Sequence, residues 1–317
     1  KWEQDTSTSL ENGDPSHVTP LSQFLPPMVK FGKKPIQYFA VVTDLQDGGN
    51  VAQAFADVFH PYNSPPPYST SSDPRCPYFK YEIPFKSLAG SYSVSDKNAE
   101  IAFVTAAYNA GLITFQTGYS LAEVTMELDK GTAALWSGTA EIDYEQPAGL
   151  YTVKVYAIDK NSNASDVLQN QFLYVPVAGV EVDFTSLAYG SVSLGVDKMV
   201  AGDTIWVSPA APAGVGQANQ ATVRNIGNTW AHVIVTESDL GLGKDITGMW
   251  NVGFDARMGS DDLNRVLFDP NVATTLPNYL PLSSQDELDF SILVKKGMSG
   301  QSYTGTMTIG ASIEPFK

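Results

Sequence analysis

Pro147-Ala-Gly149, Tyr151-Thr-Val-Lys-Val-Tyr-Ala-Ile158, Asp159-Lys-Asn-Ser-Asn163 and Gln171 to Val177 follow one another in a single stretch. A proline-glycine turn opens it. An alternating Tyr/Val strand follows, then a polar Asp/Asn turn, then a closing strand. Period-two alternation bounded by turn residues is the pattern of a strand with one buried face. The order of turn, strand, turn and strand is that of one end of a β-sandwich.

Working outward toward the N-terminus, Ile36 to Thr43 forms a β run, and Asp44-Leu-Gln-Asp-Gly-Gly-Asn50 closes it with glycines suited to positive φ. Val51 to His60 fits both a helical and an alternating period, and its β surroundings favour a strand over 54–60. Residues 61–78 are rich in Pro, Ser and Tyr, with Pro65-Pro66-Pro67-Tyr68 at the centre, and read as a long insertion. Tyr78 to Phe85 alternates again. Asp96 to Leu112 is the best helix, with Ile101, Val104, Ala107 and Tyr108 on one face and Gly111 at its end. A second amphipathic segment spans 119–135, and Gly138 to Tyr144 returns to alternation. Residues 1–30 are polar with four prolines and read as an arm. Such composition suits a disordered terminus, and Trp2, Leu21, Phe24 and Leu25 give the alternative, an arm that docks on a neighbouring subunit.

Beyond Pro176–Gly179 helix signals fade. Strands are expected at 180–188, 190–196, 203–208, 220–225, 230–236, 250–257, 287–295 and 303–313, with 258–282 a long connection. The expected organisation is therefore an arm over 1–30, a first domain over 31–178 and a second over 179–317. The chain's 317 residues suit about two domains of roughly 150 residues.

The second half carries Phe184-Thr-Ser-Leu-Ala-Tyr-Gly190, Ala221-Thr-Val-Arg-Asn-Ile-Gly-Asn-Thr-Trp-Ala-His-Val-Ile-Val235 and Asp286-Glu-Leu-Asp-Phe-Ser-Ile-Leu-Val294, then Tyr303-Thr-Gly-Thr-Met-Thr-Ile309. The first half carries Ala54-Phe-Ala-Asp-Val-Phe-His-Pro61 and Glu145-Gln-Pro-Ala-Gly-Leu-Tyr-Thr-Val-Lys-Val155. Together these phrases resemble secreted archaeal, methanogen-type cell-surface proteins with immunoglobulin-like domains. The resemblance implies a subunit of a sheath, S-layer or filament, and brings no catalytic residues with it. The fold expectation is mainly β: two immunoglobulin-like β-sandwich domains, the first with a helical insertion over about 96–135.

Composition limits the partners. With 19 basic and 34 acidic residues the net charge is −15, which repels phosphate backbones and anionic lipid. No apolar run approaches the length of a membrane span. The chain begins Lys1-Trp2-Glu3 without methionine, as a processed precursor or a trimmed segment would. Cys76 is the single cysteine, so an intrachain disulfide is excluded.

Motifs for catalysis are sparse, with no Gly-x-Ser-x-Gly elbow, His-Glu-x-x-His or Walker loop. The three histidines, His17, His60 and His232, adjoin no convincing nucleophile in sequence. The expectation is a non-enzyme with no resident cofactor. Calcium is a candidate ligand at Asp44, Asp47 and Asn50, and a second Asp/Asn turn stands at Asp159, Asn161 and Asn163. Both also fit ordinary turn chemistry, in which such side chains bond their own backbone. Asn163-Ala-Ser165 is a glycosylation sequon.

Trp2, Phe24, Tyr62, Tyr68, Tyr78 and Tyr303 are the candidate subunit contacts, and the tyrosines also suit sugar stacking. The uncharged stretch toward Ile313 suits an edge strand. The functional expectation is a self-assembling, extracellular cell-envelope subunit whose partners are copies of itself. The alternative is a surface adhesin or carbohydrate-binding module whose partners are cell-surface glycans.

Overall fold

A computed structural model describes residues 22–44, 50–59, 61, 81–87, 96–111, 113, 115, 118–144, 146–207 and 220–314. The chain is mainly β and divides into two compact units. One comprises Lys1–Pro27 with Gly32–Val175, the other Met28–Phe31 with Pro176–Lys317. No helix among the described residues is long and apolar enough to cross a membrane.

The first unit contains β1 (Ser22–Phe24), β2 (Lys33–Thr43), β3 (Val51–Phe59), β4 (Tyr81–Ser87), α1 (Asp96–Asn109), α2 (Leu121–Lys130), β5 (Ala133–Asp143), β6 (Gly149–Asp159) and β7 (Leu168–Tyr174). Its sheet runs β1-β7-β6-β3-β4-β5-β2. The β4 strand pairs β3 over Tyr81–Phe85 and β5 at Lys86 and Ser87, so the sheet turns there from one layer into the next. The layers close on one core in which Phe24, Ile36, Tyr38, Trp136, Tyr151, Phe172 and Tyr174 meet.

The apolar start of β5 is buried on both faces, which is why Ala133-Ala-Leu-Trp136 does not alternate. Ala134 and Trp136 join the sandwich core, while Ala133 and Leu135 pack with Val104 of α1 and Val124 and Leu128 of α2. Among the described residues two helices form within the expected 96–135 insertion, and its last residues are strand. Gly131, at φ 80°, caps α2 in the left-handed region and turns the chain into β5. At its other end, Ser120 and Glu123 form a reciprocal capping box.

The second unit contains β8 (Val180–Val182), β9 (Asp197–Val200), β10 (Thr222–Asn225), β11 (Trp230–Glu237), β12 (Val252–Met258), a 3-10 turn (Asp262–Asn264), β13 (Val266–Phe268), β14 (Thr274–Leu280), β15 (Gln285–Val294) and β16 (Met307–Glu314). The larger sheet runs β13-β12-β15-β10-β8, with β9 also on β15, and faces a three-stranded sheet β14-β11-β16 across the core. Val223, Phe254, Leu288 and Phe290 from the first meet Val233, Val235, Leu276 and Leu280 from the second.

Four expectations are corrected here. Residues 190–196 and 203–207 are not strands, and the expected 180–188 strand ends at Val182. Side chains, not a ladder, hold 203–207. Asp183 accepts from Thr222 N at 2.8 Å and Val207 N at 3.1 Å, and Thr222 Oγ1 donates to Asp203 O at 2.8 Å. The 258–282 connection contains β13 and β14. Pro277 is tolerated because β14 is an edge strand whose pairing with β11 is interrupted between His232 and Ile234.

Candidate functional site

On β12, Val252, Phe254, Ala256 and Met258 point into the core, so Gly253, Asp255 and Arg257 point outward. Register aligns Met199, Ser291, Asp255 and Leu267 in one outer row, and Asp197, Leu293 and Gly253 in the next. A Cβ at Gly253 would meet nothing within 4 Å. The missing side chain leaves an open groove of about 780 Å³, lined by Asp197, Asp255, Arg265, Leu267, Leu293 and Lys295 among others.

Two arginines organise the charges around it. Arg265 Nε donates to Asp255 Oδ1 at 2.6 Å, and Nη2 bridges Asp255 and Asp197. These bonds, to Asp255 first and Asp197 next, hold the guanidinium above its ordinary pKa. Arg257 Nε donates to Asp289 Oδ2 at 2.5 Å, and the other carboxylate oxygen accepts from Gly202 N at 2.6 Å. Asp255 and Asp289 are therefore buried as neutralised partners. An apolar floor beside paired charges suits binding of a mixed surface. Sequence reasoning missed this network. The available signal was charge at outward positions inside strong strands, in Asp255-Ala-Arg257 and Glu287-Leu-Asp289.

The second exposed feature is a sheet edge. Over eight registers β16 pairs β11, from Trp230↔Glu314 to Glu237↔Met307. Among the described residues, no strand pairs its other side. Glu314 is its one charged residue.

The sequence-derived candidates are scattered. Trp2, Tyr62, Tyr68, Tyr78, Asp47, Cys76, His17 and His60 lie outside the described residues. Phe24 sits in its own unit's core, 1% exposed. The half-buried Tyr303 accepts a bond from Met298 N at 2.9 Å, pinning the loop before β16. Asn50 Nδ2 donates to Asp44 Oδ2 at 3.0 Å. Asp159 accepts from Asn161 N, Asn163 N and Asn163 Nδ2 at 2.7–2.8 Å, and these bonds, Asn163's first, lower its pKa. That is the self-bonding turn chemistry of Asp and Asn. Asn163 itself is exposed. Among the described residues no group of three or more His, Cys, Asp or Glu side chains is placed to hold a metal ion. His232 Nδ1 lies 3.0 Å from both Leu276 O and Asn278 O, filling the interruption of the β11–β14 ladder, while Nε2 faces Glu314 at 3.1 Å.

No protein-family model and no curated protein matches the chain. Solved structures that resemble it include bacterial adhesins and a cycloalternan-degrading enzyme from Trueperella pyogenes. "BspA_C_WT" is 12% identical, with 94% of this chain and 93% of that one covered and a TM-score of 0.23. The C-terminal domain of the Streptococcus pyogenes antigen I/II-family protein AspA is 11% identical, with 91% and 90% covered and a TM-score of 0.20. The CupB6 tip adhesin from Pseudomonas aeruginosa is 10% identical, with 98% and 91% covered and a TM-score of 0.25. Likenesses this weak carry no inference about the activity of this chain.

Proposed function

We propose that the chain is a secreted, non-enzymatic cell-surface protein that associates with copies of itself into an envelope layer such as a sheath, S-layer or filament. The observation that supports this reading is the β16 edge. It offers eight residues of backbone ladder with a single charge, and edges of that kind template pairing with another chain. Natural monomers usually block such edges with lysine, proline or a bulge.

The test is the assembly state of purified protein, by light scattering and negative-stain microscopy, with and without Ca²⁺. Ordered assemblies are expected, and the exposed pair Thr308→Lys with Ile313→Lys should abolish them. A stable monomer in both conditions would refute the reading.

A second reading, a surface adhesin or glycan-binding module, is favoured by the open groove over Gly253. Filling it with Gly253→Gln should then lower binding on a glycan array without changing assembly. Equal binding by the variant would remove the groove from that role.

A further inference from the structure

The first of the described strands is held unlike the others. β1 lies parallel to β7, with Ser22, Gln23 and Phe24 opposite Phe172, Leu173 and Tyr174, and this is the one parallel pair among the described strands. Its grip is three residues long and ends with Val175 N donating to Phe24 O at 2.9 Å. Almost all of its apolar hold is Phe24, which stands edge-on to Phe172 with ring centroids 5.4 Å apart and plugs the core.

The segment joining β1 to β2 is strained and apolar. Met28 at φ 53° and Phe31 at φ 62° are non-glycine residues in the left-handed region, which their side chains disfavour. Leu25, Val29 and Phe31 are exposed, Phe31 at 79%. Pro26 and Pro27 stiffen the same segment. Met28–Phe31 groups with the second unit and Gly32 returns to the first, so the strained residues lie where the chain passes from one unit to the other and back. A copy of β1 from another chain would make the same ladder and the same Phe24 contact, and a hinge that extended would take Met28 and Phe31 out of the left-handed region. Exchange of an identical element through a strained hinge is a low-cost route to assembly.

We propose that the slot beside β7 is an exchange site, filled in the assembled protein by β1 of a second copy, with Phe24 as the anchor and 25–32 as the hinge. The proposal rests on the self-association reading above and names one contact through which it occurs. Reciprocal exchange closes a dimer, and one-way exchange runs on as a polymer.

Gln23 and Leu173 face each other on the side away from the core, so each can become cysteine without disturbing Phe24. In a Cys76→Ser background, the single variants Gln23→Cys and Leu173→Cys are co-refolded from urea and oxidised. The products are read on non-reducing denaturing gels against each variant alone, with light scattering in parallel. A mixed disulfide dimer several-fold above the two homodimer controls is expected, because only strands from different chains can form it. Assembly by scattering without a mixed dimer would overturn exchange and leave self-association standing. Neither assembly nor mixed dimer would overturn both. Adding Met28→Gly and Phe31→Gly relieves the closed hinge and should lower the mixed-dimer yield several-fold, whereas an unchanged yield would overturn the hinge's role.

Discussion

The hydroxyl of Tyr189 lies 2.8 Å from Oε1 and 3.0 Å from Oε2 of Glu237, so one phenol serves both oxygens of a carboxyl that is 3% exposed. Glu237 ends β11 on its inward side, where strand alternation carries it into the core after Val233 and Val235. Burial pushes its pKa up to about 7, the Tyr189 bond opposes that rise, and the nearby charge of Asp255 adds to it.

The sign of the pH dependence follows from that rise. The folded pKa stands above the ordinary carboxyl value, so this group's contribution is full below about pH 4.5 and is lost as pH climbs through about 7. The second unit should lose on the order of 2–3 kcal/mol of stability between pH 5 and pH 8 through this group. Urea midpoints for the wild type and Glu237→Gln should diverge over that range, the variant being the flatter. Parallel profiles would show that Glu237 does not titrate there.

Gly202 sits where β9 and β10 meet along β15. A Cβ at that position would lie 2.5 Å from both Ala221 O and Leu288 O and 2.7 Å from Leu288 N, all backbone atoms. Backbone cannot yield as a flexible side chain does, so Gly202→Ala should cost about 3 kcal/mol or somewhat more. Gly253→Ala, which meets open space, should be tolerated by comparison. Thermal midpoints of the two variants decide the point.

Arg265 neutralises a buried acid from a half-exposed position. Arg265→Ala should destabilise by about 1–3 kcal/mol, less than a fully buried pair would because solvent screens the arginine. Asp255→Asn in the same chain should recover part of the loss, since the uncompensated charge is then gone. A double-mutant cycle measures the coupling. Strict additivity would mean that Arg265 does not act through Asp255.

At the start of α2, Ser120 N donates to Glu123 Oε2 at 2.7 Å and Glu123 N donates to Ser120 Oγ at 3.3 Å. Ser120→Ala should cost about 1 kcal/mol. Hydrogen exchange should place that loss in the 121–130 helix, because the sandwich core beneath it is untouched. A change confined to other segments would contradict the capping role.

Much of the architecture was readable along the chain. Alternation at Tyr151–Ile158 and Trp230–Val235 reports strands with one buried face, because side chains in a strand point to opposite sides at every step. The capping glycine at 111 and the apolar spacing of Val104 and Ala107 marked α1 for a similar local reason. Phe24 also stood out in the sequence as an apolar residue in a polar arm.

The rest depends on what lies across space. Residues 203–207 look like a strand but are held by Asp183 and Thr222 from other segments. Pro277 looks like a break but is accommodated because tertiary packing places β14 at an edge. The partners of Asp255 and Asp289 come from residues 265, 257 and 202, and no spacing rule links them. Local chemistry sets whether a segment is helix, strand or turn, since it acts between residues a few positions apart. Which acid meets which arginine, which edge stays open and which hinge is strained are set by long-range register and layer packing, and those are properties of the folded chain alone.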